Sequence, residues 1–425
     1  MGFRGRQENN KSCPDFEINN LKGTGLIIYA IILNRTEVLY YFCPLNSLFE
    51  LMAGIYIHIP FCKQACHYCD FHFSTSMSLK NKLLEMLNKE LVTRKNYLDS
   101  SLKIHSIYFG GGTPSLLSVP ELENILETIN RHYALELKEV TLEANPDDLC
   151  PKVLREYQNI GIDRLSIGIQ SFHEEVLAFY NRAHDQDQSL NVTEMAKDAG
   201  FHKLSIDLIY GYPTSSHELW KKDLEIALNK EPGHISSYAL TIEPRTVLAH
   251  RAGKGTFCPP SEDFLAEQYE WLLRQTESAG YIAYEISNFA KPGELAIHNA
   301  NYWKGVPYLG IGPSAHSFNG KSRGHNIASN PKYLKAMHDT GSAFHPELLS
   351  KEENANEHIM TSLRTVWGLD GEHFKERFDW DILEEKAKEI EWLQSNDWIV
   401  LEGTRITLSR KGKLLADSIA ARLFY

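Results

Sequence analysis

From Gly54 onward the chain alternates between two hydrophobic periods. Short β-branched runs give way to longer stretches whose apolar residues recur every three to four positions, and the pattern then repeats. This spacing predicts strands over Ile55–Ile59, Ile104–Phe109, Glu139–Glu143, Arg164–Ile169, Lys203–Ile209 and Ile235–Leu240. Helices are predicted between them over Leu79–Tyr97, Pro120–Tyr133, Pro151–Asn159, Gln188–Ala199 and His217–Leu228, some with a clear start such as Ser118 before Pro120 or Cys150 before Pro151. Repeated βα units build a parallel sheet, and six fall short of the eight of a closed barrel. The expected fold is therefore α/β, a partial (β/α)6 barrel of the TIM type. A further helix, Ser261–Ala279, leads into "YIAYEISNFA", a strand expected outside that set.

Past Pro346 the chain turns charged and helical, and ends "WIVLEGTRITLSRKGKLLADSIAARLF". Two short strands around the turn Glu402–Gly403, followed by a helix, predict a small α+β module of winged-helix type over 347–425. Residues 321–346 are polar, with scattered Gly, Ser and Asn, and read as a linker from the main domain, 52–320. The first 51 residues contain the apolar run Gly25–Leu33. That run is too short to span a bilayer, which takes about 20 apolar residues. Polar and acidic residues precede it and no small-residue cleavage site follows, so it does not resemble a signal peptide. Met52 begins "MAGIYIHIP", which enters a strand at once, so residues 1–51 are expected to be an extension, with Met52 the true start.

Composition narrows the class. Of 425 residues, 43% are hydrophobic and 23% charged, as in a well-packed globular protein. A formal net charge of -11 with no basic stripe argues against a broad nucleic-acid-binding face. Seven cysteines, Cys13, Cys43, Cys62, Cys66, Cys69, Cys150 and Cys258, are an odd number with three tightly grouped. This is no disulfide framework; it points to a reducing compartment, the cytoplasm, with one metal or redox site.

The chemistry sits at the C-terminal ends of the predicted strands, the rim that carries active sites in parallel barrels. After the first strand comes Cys62-x3-Cys66-x2-Cys69. Three thiolates on a [4Fe–4S] cube leave one iron open to a small molecule; a zinc site completed by His58, His67 or His72, or plain buried cysteines, are the alternatives. After the second strand comes "GGGTPS", whose glycines let backbone approach a polar ligand closely. Glu143, Gln170 and Asp207 end the next three strands. Together they form a polar rim suited to the amines and hydroxyls of a nucleoside. Cys150 has no place in this scheme and reads as structural.

The three-cysteine loop followed by GGGTP resembles the radical S-adenosylmethionine superfamily. "YIHIPFC", "EANP", "GIQSF", "NRAH" and "DLIYG" resemble its oxygen-independent coproporphyrinogen oxidase group, from about Ile55 to the C-terminus. The resemblance implies that Cys62, Cys66 and Cys69 hold a [4Fe–4S] cluster whose open iron takes S-adenosylmethionine. It implies cofactor contacts by Tyr56, Tyr68, Gly112, Thr113, Glu143, Gln170, Arg182 and Asp207; Tyr56, Tyr68 and Arg182 rest on it alone. The decarboxylating oxidases carry a fourth cysteine two residues after the third, where this chain has Phe71.

"HNANYW", residues 298–303, matches the HNxxYW motif of the HemW-type haem chaperones within that group. A His can supply an axial ligand to haem iron, and Tyr and Trp offer flat apolar faces to a macrocycle. The resemblance thus implies that His298, Asn299, Tyr302 and Trp303 bind haem b, with His316 nearby. It further implies an electron donor and haem acceptors such as respiratory enzymes or bacterioferritin, peripheral membrane contact, and a monomer or homodimer. The alternatives are a coproporphyrinogen III oxidase and a radical methyltransferase.

Overall fold

The computed structural model describes residues 28–32, 38–42 and 51–425. The rest of the first 50 residues, and with them the expectations about a leader and a start at Met52, lie outside the described residues. Within that unit β1 (Ile28–Ile32) pairs antiparallel with β2 (Val38–Phe42).

The main unit begins with β3 (Met52–Ile59), β4 (Lys103–Gly111), β5 (Leu135–Ala144), β6 (Arg164–Gln170), β7 (Lys203–Tyr210) and β8 (His234–Ala239). These are the six expected parallel strands, paired in chain order. Helices Lys80–Thr93, Val119–His132, Pro151–Asn159, Gln186–Asp198 and Glu218–Asn229 lie between them in sequence. The alternation in "IYIHI" explains the layering. Ile55, Ile57 and Ile59 are fully buried in the main core, which the helices share, while Tyr56 and His58 point the other way, into the barrel.

Six further strands extend this sheet to twelve. They are β9 (Ile282–Ala283), β10 (Asn288–Ala290), β11 (Tyr308–Ile311), β12 (His316–Phe318), β13 (Arg323–Asn326) and β14 (Phe344–Glu347). β11 is a seventh parallel strand, paired with β3 from the far end of the sequence. "YIAYEISNFA" is not one strand outside the set. It contains two short ones, β9 and β10, and β10 pairs antiparallel with β8. The sheet is a partial barrel that does not close on itself.

Residues 321–346 are not a linker. They contain β13, the helix Asn330–Asp339 and the start of β14, and two of their side chains, Asn326 and Tyr333, are buried against one carboxylate. Glu90, on the helix Lys80–Thr93, accepts hydrogen bonds from Asn326 Nδ2 (2.8 Å), Tyr333 Oη (2.7 Å), Gly312 N (2.9 Å) and Arg94 Nη1 (3.1 Å). Composition alone made the segment look like a surface loop, because most of its polar side chains do face solvent while Asn326 and Tyr333 tie it to the core. Glu90→Leu strands these donors in the core. It is expected to cost about 3–5 kcal/mol, read as a lower denaturation midpoint in urea.

The C-terminal module has its own core, built on Ile359, Leu363, Phe374, Leu393, Ile406 and Ile419. Its sheet comprises β15 (Leu369–Asp370), β16 (Ile399–Glu402) and β17 (Arg405–Leu408), in the order β15-β17-β16. No helix among the described residues is long and apolar enough to cross a membrane.

Candidate functional site

Inward-pointing residues of the parallel strands, the loop after β3 and the short helix Ile297–Trp303 enclose a cavity of about 560 Å³. The expected cluster, cofactor and haem residues line it, except Trp303 and the neighbouring His316.

The cysteine loop is held in place by backbone. Cys62 N donates to Ser74 O and His67 N to Tyr180 O. Gly112 N donates to Ile59 O and Thr113 N to Phe61 O. A Cβ on Gly112 would stand 2.6 Å from Phe61 O, so only glycine allows the second-strand turn to meet the base of the cysteine loop. Cys62, Cys66 and Cys69 are half-buried and unpaired. Burial raises the Cys62 thiol above its usual range and pushes Cys69 up to about 12. Arg182 Nη1 lies 3.3 Å from Cys66 Sγ and from Tyr68 Oη, and its Nη2 donates to Asn145 Oδ1 and Gly168 O. The histidines that would complete a zinc site are committed elsewhere. His58 contacts Tyr56 Oη and His72 O, His67 contacts Phe179 O, and His72 contacts Asn330 Oδ1.

Two carboxylates face the cavity without a cation of their own. Burial pushes Glu143 up to about 7, against the hydrogen bond from Tyr108 Oη (2.7 Å) and with the added repulsion of Asp207. Burial pushes Asp207 up to about 6, opposed by hydrogen bonds from Ser236 and Ser166. Gln170 ends β6 with φ of 66°, a left-handed conformation uncommon outside glycine and typical of residues held for function.

Elsewhere on the wall, His298 is stacked on Tyr108, with ring centroids 5.1 Å apart, and edge-on to Tyr302. Its Nδ1 lies 2.8 Å from Ser106 Oγ; its Nε2 is buried with no partner, and burial pushes its pKa down to about 3. His298 and Tyr302, four residues apart, share a helix face. Trp303 is turned about 100° from Tyr302 by the helical period and meets Arg364 of the C-terminal module instead, 5.6 Å away. The two aromatic faces therefore do not flank one ligand. Two other expectations also change. His316 stands exposed on β12 opposite His325 and does not line the cavity, and Cys150 is exposed rather than packed.

Strand-end reasoning missed Tyr108, Asn145 and a layer deeper in the barrel. In that layer Arg164 Nε donates to Glu139 Oε2 (2.8 Å), and Glu139 accepts from the backbone of Ile297 and His298 at 2.9 Å each. This buried pair anchors the helix that bears His298.

The residues present fit the groups the sequence implies. Three unpaired thiols beside a buried guanidinium suit an anionic cluster with one open iron. Two buried carboxylates without a counter-ion suit a ligand amine and hydroxyls, and an orphaned neutral imidazole nitrogen suits iron.

The family described as the radical SAM superfamily matches residues 56–227, and the HemN C-terminal domain family matches 349–415. The chain is 33% identical over 365 residues to the haem chaperone HemW of Lactococcus lactis, covering 86% of this chain and 95% of that one. It is 32% identical over 374 residues to HemW of Bacillus subtilis, with 87% and 98% covered. In structure it resembles coproporphyrinogen III oxidase (HemN) of Escherichia coli, with a TM-score of 0.76, 21% identity and 89% and 93% covered; that likeness shows the fold.

Proposed function

We propose that this chain, which belongs to the HemW haem-chaperone family of the radical S-adenosylmethionine superfamily, takes up haem in its barrel cavity and delivers it to haem-requiring proteins. The observation that carries this reading is the buried, unpartnered Nε2 of His298 in the same cavity as the three thiols. Held at Nδ1 by Ser106 and stacked on Tyr108, the imidazole is neutral and aimed, as an axial ligand must be. Tyr302 packs beside it. Haem b, held without a covalent bond, is the form this site suits, and respiratory enzymes are the acceptors proposed.

Cys62, Cys66 and Cys69 would hold the cluster, with Arg182 beside Cys66 offsetting its negative charge. Glu143, Gln170, Asp207, Tyr56, Tyr68, Gly112 and Thr113 would receive S-adenosylmethionine. Bound there, the two together supply one-electron chemistry or a ligand-dependent signal for delivery. The oxidase reading is weakened at Phe71, which is 70% exposed where that group has its extra cysteine.

Glu143 gives this reading a pH signature. A ligand ammonium favours the carboxylate, so cofactor binding at pH 6 should release a proton, and affinity should rise with pH through about 7. The free protein responds in the opposite sense. Folded Glu143 keeps its proton above the ordinary glutamate value of about 4.3, so its contribution to stability falls as pH rises from there to about 7. Calorimetry in two buffers of different ionisation heat reads the proton release, and Glu143→Gln should cut it to what Asp207, pushed up to about 6 in the same site, contributes.

The delivery step is tested by mixing the haem-loaded, cluster-reconstituted protein with an apo-haem acceptor under anaerobic conditions. Transfer faster than haem release to buffer supports the reading; equal rates overturn it.

A further inference from the structure

His234, at the start of β8, lines the cavity but takes no part in the chemistry above. Its Nε2 lies 2.8 Å from Tyr284 Oη, and Tyr284 in turn accepts a hydrogen bond from Asn299 Nδ2 at 2.8 Å. These partners select the tautomer. An amide nitrogen only donates, so the phenol oxygen accepts from Asn299. Accepting from His234 Nε2 as well would leave the phenol hydrogen with no acceptor among the described residues, whereas donating it to Nε2 satisfies it. Burial, with the charge of Arg164 adding to it, pushes the pKa of His234 well below its usual value, so the ring is neutral and its single hydrogen sits on Nδ1. That Nδ1 is buried and has no partner. An orphaned donor of this kind is costly unless a ligand completes it.

Asn299 belongs to the same short helix as His298, the helix that Glu139 and Arg164 anchor. One seven-residue element therefore presents a bare nitrogen at His298 and, through Tyr284, fixes an N–H at His234. The guanidinium of Arg164 is committed to Glu139, to Ser205 Oγ and to the carbonyls of Glu294 and Leu295. Paired with Glu139, it is not a binding group itself, and its charge helps keep His234 neutral.

We propose that His234 is a second ligand-binding histidine of this cavity, donating from Nδ1 to a carboxylate oxygen of the molecule whose iron His298 takes. For haem that carboxylate is a propionate, and Asn299 and Tyr284 act as positioning residues that keep the hydrogen on Nδ1. This inference rests on the haem reading above.

The test titrates the reconstituted protein, under anaerobic conditions, with haem and with haem dimethyl ester, which lacks the propionate charges. The native protein is expected to prefer haem by about ten- to a hundredfold, the worth of one hydrogen bond to a charged acceptor. His234→Phe should bind the two alike, with ester affinity and the visible spectrum of the cluster unchanged. Tyr284→Phe, which keeps the ring packing, should weaken the preference while sparing ester binding, and it serves where His234→Phe does not fold. A native protein without preference, or a His234→Phe variant that loses both ligands equally, overturns the inference. A native protein that binds neither ligand overturns the proposed function instead.

Discussion

Cys66→Ala is expected to leave the protein without its cluster. Each thiolate of a three-cysteine loop serves a different iron, so losing one leaves two anchors for a cube that already has one open position. Cys66 is also the thiol that Arg182 touches, so the variant loses both the ligand and the point where the guanidinium offsets the cluster's charge. Iron after anaerobic reconstitution should fall from about four per chain to below one, with the brown colour lost. The fold should survive, because the half-buried loop is held by backbone bonds from Cys62 and His67 rather than by this side chain. Iron content and circular dichroism, read on one sample, separate loss of the cluster from loss of structure. A variant that keeps a full complement of iron would contradict the site.

The second large effect belongs to His298. His298→Ala removes the one imidazole nitrogen that is buried, neutral and unpartnered in the HNxxYW motif. Disturbing an outer partner of a metal ligand costs about 10–100-fold in affinity, and removing the ligand itself should cost at least the upper figure. The absorption spectrum of bound haem should lose its imidazole-ligated form. Trp303→Phe provides the contrast. Trp303 does not line the cavity and faces Arg364, so the variant should bind haem within a few-fold of the native protein. Equal losses at His298 and Trp303 would mean that the motif acts through folding rather than through contact.

The chain itself showed the barrel well and its edges poorly. Parallel strands buried on both faces leave strong β-branched runs, so all six strands of the barrel core were legible to within a few residues. β11 was not, since the four residues "YLGI" carry too little pattern to stand out. Residues 321–346 misled because most of their polar side chains are exposed, while Asn326 and Tyr333, which tie the segment to Glu90, are buried, and no composition rule sees a buried partner. In the site, the rule that function gathers at strand ends found Glu143, Gln170 and Asp207. The same rule hid Arg164 and His234, which begin their strands, and Glu139, which lies deeper in the barrel. Trp303 was paired with Tyr302 from adjacency in sequence, whereas a helix turns adjacent residues to different faces.

The central claim is that this cavity handles haem and does not oxidise a porphyrinogen. Anaerobically reconstituted protein supplied with S-adenosylmethionine and a reductant is divided in two. One half is titrated with haem, and the other is incubated with coproporphyrinogen III. Saturable binding of one haem per chain, with no protoporphyrinogen formed, is the predicted result. Sustained protoporphyrinogen production without saturable haem binding is the result that would contradict it.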